Sequence, residues 1–335
     1  MKAEIKPRIE LENRTKLQDV IPLSTPFTLF IDPADSCNFQ CVFCPTGDRE
    51  LMKEIKRPFK VMNFDLYKKI IDDMVEFENP VKVLRLYKDG EPLLNKKLSQ
   101  MIKYAKEKGV AHNIDTTTNA SLLTNEMSLE LIESGLDRIN ISIEGVNKEQ
   151  YKSFSKVDID YEELVDNIKF FYENKKQCEV LVKINGDSLS EDEKQLFLDI
   201  FGNYCDRIYI EHVMSCWPEF EIKDIDVNQD LGIYGQEIKE VSVCPYPFYS
   251  ISVNSDGKVS LCFLDWSRKL VVGDVGERSI KDIWLGKEMN EYRKMFLEDR
   301  RKEHPVCKDC GQLTHGMPDN IDPYRKKLLK KIEES

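Results

Sequence analysis

Thr28-Leu29-Phe30-Ile31-Asp32 is a short apolar strand, and Asp35-Ser36-Cys37-Asn38-Phe39-Gln40-Cys41-Val42-Phe43-Cys44 follows it almost at once with three cysteines spaced C-x3-C-x2-C. Downstream, strands and helices alternate. Residues 65–79 place Leu66, Ile70, Met74 and Phe77 on one helical stripe, and Val81 to Tyr87 reads as a buried strand. Leu98, Met101, Ile102 and Ala105 mark a helix stopped at Gly109, before a strand over 113–118. A helix over 125–134, a strand over 138–143, a helix over 161–173 and a strand over 179–184 continue the pattern. Ser190 and Glu193 form a capping box for a helix running to about Phe201, and 207–213 is a sixth strand. Six β-then-α units predict an α/β fold, a partial (β/α)6 TIM-like barrel with right-handed crossovers. In such folds chemistry sits at the carboxyl ends of the strands, so the loops there are the ones to read.

The 335 residues suffice for one large domain or a large and a small one. With 33% charged residues and a net charge of −11, the chain lacks the clustered cations of a nucleic-acid surface. No run of 18 apolar residues predicts a membrane span. Residues 1–12 are charged throughout and do not form a secretory signal, which predicts a cytoplasmic protein. Ten cysteines in a reducing compartment point to metal or redox use rather than disulfides. The expected organisation is a leader over 1–26, the barrel over 27–220 and a smaller α+β domain over 221–335. In that last domain Tyr249, Ile251 and Val253 alternate, turn at Asn254-Ser255-Asp256-Gly257 and return as Val259 and Leu261, a β-hairpin. Helical patterns follow near 280–284 and 289–299.

Three close thiolates on a [4Fe–4S] cluster leave one iron open. The spacing, with aromatic Phe43 before the third cysteine, resembles the radical S-adenosylmethionine (SAM) superfamily motif. The resemblance implies that Cys37, Cys41 and Cys44 hold a cluster whose open iron binds SAM and cleaves it to a 5′-deoxyadenosyl radical. Three further segments match in order. Lys88-Asp89-Gly90-Glu91-Pro92 is similar to the family's Gly-Gly-Glu-Pro motif at the methionyl ammonium, with Asp89 replacing the first glycine. Thr118-Asn119 is similar to the family's Thr-Asn segment near SAM. Ser142 and Glu144 match residues near the SAM carboxylate and ribose. Lys183 and Asn185, at the end of the fifth strand, are further candidates for SAM or substrate contact. The alternative for the cysteines is zinc, which takes four ligands, and no fourth lies nearby in sequence.

Cys244, Cys262, Cys307 and Cys310 read C-x17-C-x44-C-x2-C, with Gly257 at the hairpin turn before Cys262. This resembles the SPASM domain, an auxiliary-cluster extension of radical SAM enzymes. A full SPASM domain has seven cysteines; here none follows Cys310, so the resemblance implies the reduced, Twitch-like form. That form holds one auxiliary [4Fe–4S] cluster, fully ligated and suited to accept an electron. The same four cysteines are also a good zinc-ribbon set. Count and spacing look most like enzymes that oxidise 2-deoxy-scyllo-inosamine.

The resemblance implies oxidation of a secondary alcohol on a small polar substrate, a sugar or cyclitol, with reduction by a flavodoxin- or ferredoxin-type donor; the charge balance and the lack of a long apolar run predict no nucleic-acid or membrane partner. Glu211 and His212, ending the sixth strand, are candidates to bind substrate or take a proton. Cys216 beside Trp217 is a candidate hydrogen-atom donor for the rival reaction, sugar epimerisation. A peptide-modifying maturase is a second rival, although only 36 residues precede Cys37. A non-catalytic zinc protein with two structural sites is the rival from another class.

Overall fold

The computed structural model describes residues 1–9, 12–222, 225, 227 and 229–334. Among the described residues ten strands form one sheet: β1 Glu4–Ile5, β2 Thr28–Ile31, β3 Val81–Arg85, β4 Ala111–Thr118, β5 Arg138–Ile143, β6 Glu179–Asn185, β7 Arg207–Glu211, β8 Ser250–Val253, β9 Lys258–Ser260 and β10 Val271–Asp274. Their order is β1-β7-β6-β5-β4-β3-β2-β8-β9-β10. From β2 to β7 every neighbouring pair is parallel, as the alternation predicts.

Local chemistry starts and stops the intervening helices. Asn63 caps Phe64–Met74 and Thr124 caps Asn125–Glu133. The Ser190–Glu193 capping box opens Glu191–Phe201 as predicted. Gly109 ends Leu98–Lys108 in the left-handed region at φ 65°, where a side chain would be strained. The helices bury one face each, through Ile70, Met101, Leu131 and Ile168 among others, against the strands' apolar runs. A single continuous core results. Among the described residues no helix is long and apolar enough to cross a membrane.

Two parts of the organisation differ from expectation. The described residues before β2 are built into the fold rather than lying ahead of it. β1 extends the sheet beside β7, and Trp284 Nε1 donates to the Leu23 carbonyl at 2.9 Å. Arg14 also pairs with Asp319 at 2.6 Å. A two-residue strand with both side chains exposed carries no periodic signal. The C-terminal hairpin forms as expected, with Gly257 at φ 91° in its turn, yet β8 pairs parallel with β2 from Thr28–Ser250 to Ile31–Val253. The C-terminal region therefore continues the barrel sheet edge to edge. Smaller elements absent from the sequence reading are the helices Arg49–Glu54 and Lys148–Ser155 and the strand β10. β3 and β7 each stop two residues short of the predicted ends.

Candidate active site

The first three cysteines lie in the loop leaving β2, and two neighbouring loops fix its path. Gly90 packs on it so closely that an added Cβ would overlap the carbonyls of Ala34 and Ser36. Glu91 N donates to the Ser36 carbonyl at 2.9 Å. Asn119 Nδ2 donates to Asn38 Oδ1 at 3.0 Å and lies 3.9 Å from Cys37 Sγ. Helix Lys148–Ser155 receives Gln40 N and Val42 N on its last carbonyls. Arg49 Nη2 donates to the Cys37 carbonyl at 2.5 Å. Burial pushes the Cys37 thiol up to about 12, with Glu91 adding to the effect. Burial, then Glu144, Cys44 and Cys37, pushes the Cys41 thiol well above its ordinary value. Such thiols stay protonated unless a metal takes the charge.

Beyond this loop, the carboxyl ends of β5, β6 and β7 open onto a cavity of about 200 Å³. Phe43, Ser142, Glu144, Lys183, Asn185, Glu211, His212 and Cys216 all line it, so the structure gathers eight sequence-predicted residues around one space. Lys183 Nζ and Glu211 Oε2 pair at 2.5 Å, while the buried Glu211 Oε1 has no hydrogen-bond partner. Burial pushes Glu144 up to about 7 against the pull of Lys183. His212 Nδ1 lies 2.5 Å from Asp187 Oδ1, and Asp187 Oδ2 accepts Val213 N. That contact occupies Nδ1 and fixes the ring's orientation. Asp187, two residues past β6, escaped the sequence reading, although the strand-end rule covers its position. Met214, Trp217 and Ile233 complete the wall with apolar surface. Ile233 is delivered by a backbone bond from His212 N to its carbonyl, a tertiary pairing without local signal.

Gly90, Glu91, Pro92, Thr118 and Asn119 do not line this cavity. Glu91 is 2% exposed, and its carboxylate accepts from Thr118 Oγ1 at 2.6 Å, Asn119 N at 2.9 Å and Leu93 N at 3.0 Å. Burial outweighs these bonds and raises it to about 6. Its bonds in this structure join the loop after β3 to the end of β4. Pro92 starts the buried turn that follows.

Cys244, Cys262 and the Cys307/Cys310 pair come from three separated segments; burial raises all four thiols, and neighbouring cysteines add to it at Cys244, Cys262 and Cys307. Arg301 holds two of those segments together, donating to the Ser242 carbonyl at 2.9 Å and to the Cys307 carbonyl. Gly311, next to Cys310, is pressed on the Ser215 carbonyl. Cys216 therefore stands between the two cysteine sets, and burial, then Cys310, pushes its thiol up to about 12. An aromatic series leads from the barrel interior to Cys262. Tyr87 meets Phe30 edge-on at 5.9 Å, and Phe30 stacks on Phe263 at 5.0 Å.

A buried charge network joins the two cysteine loops. Arg268, six residues after Cys262, reaches Asp89 at 3.1 Å, Asp35 at 3.4 Å and Asp32 at 3.9 Å. Lys88 and Asp89 pair at 2.7 Å with no exposed side-chain surface, and Lys88 also donates to the Asp265 carbonyl. Burial, then Asp89, pushes Asp32 up to about 8. Asp89 is buried too, but Lys88 and Arg268 hold it below the usual range. Arg268 sits at φ 60°, a conformation that non-glycine residues adopt at a cost. Asp89 is thus a structural charge at the seam. Replacing Arg268 with methionine would leave three buried carboxylates with Lys88 and Arg57 as the remaining cations. The expected loss is about 3–5 kcal/mol of stability, read by denaturant unfolding of the protein in anaerobic buffer. An unchanged midpoint would mean that the network does not hold the seam.

Among the described residues no three His, Cys, Asp or Glu side chains close on a single metal ion. Both cysteine sets are nonetheless all-thiol and free of disulfides, and within each set thiols feel one another's charge. An all-thiol donor set fits an iron–sulfur cluster, whose ligands are thiolates. Two family matches coincide with the two sets: the Radical SAM superfamily over residues 31–196 and an iron–sulfur cluster-binding domain, SPASM, over residues 244–311. The chain belongs to the radical SAM superfamily.

This radical SAM enzyme binds a [4Fe–4S] cluster and SAM through the first domain and an iron–sulfur cluster through the second. It is 26% identical to a tungsten-containing aldehyde ferredoxin oxidoreductase cofactor-modifying protein of Pyrococcus furiosus, over 84% of this chain and 86% of that one. It is 22% identical to the SAM-dependent 2-deoxy-scyllo-inosamine dehydrogenase of Niallia circulans, over 87% of this chain and 95% of that one. Among solved structures, BtrN in complex with AdoMet and 2-DOIA matches with a TM-score of 0.53 at 20% identity, covering 85% of this chain and 92% of that one. Streptococcus suis SuiB bound to its precursor peptide SuiA matches with a TM-score of 0.64 at 16% identity, covering 93% and 79%. These structures share the fold.

Proposed function

We propose that this enzyme oxidises a secondary alcohol of a small polar molecule, a sugar or aminocyclitol, to the ketone. The observation that carries the reading is the His212–Asp187 pair on the wall of the cavity that Ser142 and Glu144 also line. When bound, SAM and the first cluster supply a carbon radical that takes a hydrogen atom, and the auxiliary cluster supplies an acceptor for one electron. His212 Nε2 takes the hydroxyl proton, and Asp187 fixes the ring and stabilises its charged form. Lys183 and the free oxygen of Glu211 orient the neighbouring hydroxyl or amino groups. Met214, Trp217 and Ile233 keep water from the reacting carbon. The Tyr87–Phe30–Phe263 series gives the electron a packed path toward Cys262. The full-length likeness to the Niallia circulans dehydrogenase supports the same reaction class.

The test is a panel of aminocyclitols and sugars incubated anaerobically with reconstituted enzyme, SAM and reductant. One ketone per 5′-deoxyadenosine is expected for the right substrate, and His212→Gln should slow its formation by about 10²–10⁴-fold. The location of Cys216 on the same cavity favours a second reading, epimerisation. Solvent deuterium at one carbon with no net oxidation, lost in Cys216→Ala, would replace the first reading with the second.

A further inference from the structure

We propose that the exposed face formed by Lys56, Phe59, Lys60 and Val61 is the docking surface for an acidic one-electron carrier protein that reduces the first cluster. The radical chemistry consumes one electron per SAM cleaved, and the donor has to approach the first cysteine loop.

The segment 59–62 lies directly on that loop. Val61 forms a bridge with Ala34, Asp35 N donates to the Lys60 carbonyl at 3.0 Å, and Lys60 N donates to Asp35. Met62 N reaches the Pro33 carbonyl at 2.8 Å. Phe59 and Val61 are nevertheless 44% and 48% exposed, two large apolar side chains one residue apart in a chain that buries most others. The Phe59 ring lies beside two guanidinium groups, Arg49 at 5.8 Å and Arg57 at 6.0 Å. Arg49 in turn donates to the carbonyls of Cys37 and Phe39, so the apolar patch is connected to the cysteine loop through one side chain.

The charges around the patch decide the kind of partner. Lys56 and Lys60 are exposed, and among the described residues neither has a carboxylate partner. Nearby Lys53 is paired with Glu50 and Arg57 is buried. On a chain of net charge −11, an apolar centre with two unpaired lysines at its rim offers local positive charge complementary to an acidic surface. An apolar core with a charged rim is the usual anatomy of a protein interface, and rim charges govern encounter rate and salt dependence. The inference requires only the family's need for an electron and stands whichever substrate is oxidised.

The probe is flavodoxin, an acidic carrier protein. Binding of oxidised flavodoxin to the reconstituted enzyme is measured by calorimetry, and reduction of the enzyme by reduced flavodoxin is followed as bleaching of cluster absorption. Lys56→Glu/Lys60→Glu should weaken binding about tenfold, slow flavodoxin-driven reduction alike and flatten its salt dependence. Reduction by dithionite, a small ion, should stay within about twofold of wild type, which also shows that the variant is folded and loaded. Phe59→Ala should weaken binding without changing the salt dependence. Equal binding by wild type and the double variant would overturn the proposal. A loss seen instead in Lys302→Glu/Lys308→Glu, beside the auxiliary cysteines, would also overturn it by placing the carrier on the other face.

Discussion

Replacing Cys307 and Cys310 with alanine is expected to lower the iron content of the reconstituted protein from about eight atoms per chain to about four. Reductive SAM cleavage should survive, because Cys37, Cys41 and Cys44 occupy a separate loop held by Gly90, Asn119 and Arg49. Net oxidation of substrate should vanish, since nothing would accept the electron. Iron, sulfide and zinc are counted together. About four irons plus one zinc in the wild type would remove the electron acceptor and with it the oxidation reading. The wild-type count thus separates a redox auxiliary site from a structural one, and the variant shows which cysteines make it.

Gly90→Ala is the second large effect. The new methyl group would overlap the carbonyls of Ala34 and Ser36, and these are backbone atoms that no rotamer change can move. The loop must shift, taking with it the Glu91 N–H bond to Ser36 and the position of Cys37. We expect loss of most of the first cluster's iron and of SAM cleavage, with the auxiliary cluster retained. Iron counting with spectroscopy of the reduced protein reads both. Full iron and unchanged SAM cleavage in the alanine variant would show that the loop can yield at this point. An oversized contact of this kind typically costs a few kcal/mol even where the chain adapts. Here the strain falls on a metal-binding loop, so it should appear as lost iron before it appears as unfolding.

Much of the site was legible because its signals are local. Cys37, Cys41 and Cys44 share one loop, and Ser142, Glu144, Lys183, Asn185, Glu211 and His212 all stand at strand ends. The parallel sheet sends those ends to one side, so reading the strands placed their residues around one cavity. The missed residues act at a distance. Asp187 matters because it meets His212, 25 positions on. Arg268 matters because it meets three aspartates more than 170 residues earlier. Glu91, expected from its motif at the methionyl ammonium of SAM, also bonds to Thr118, Asn119 and Leu93 in this structure, contacts that the motif alone does not show.

The sequence by itself determined the run of parallel strands β2 to β7 with their longer helices, and the two cysteine sets, because periodicity, caps and short spacings are properties of neighbouring residues. Only the tertiary structure decided that Glu4–Ile5 joins the sheet beside β7 and that β8 joins β2. It alone decided that Cys216 stands between the two cysteine sets. Two-residue pairings, edge-to-edge strand contacts and buried ion networks gain their free energy from groups far apart in the chain. Their partners acquire meaning once the backbone has closed around them.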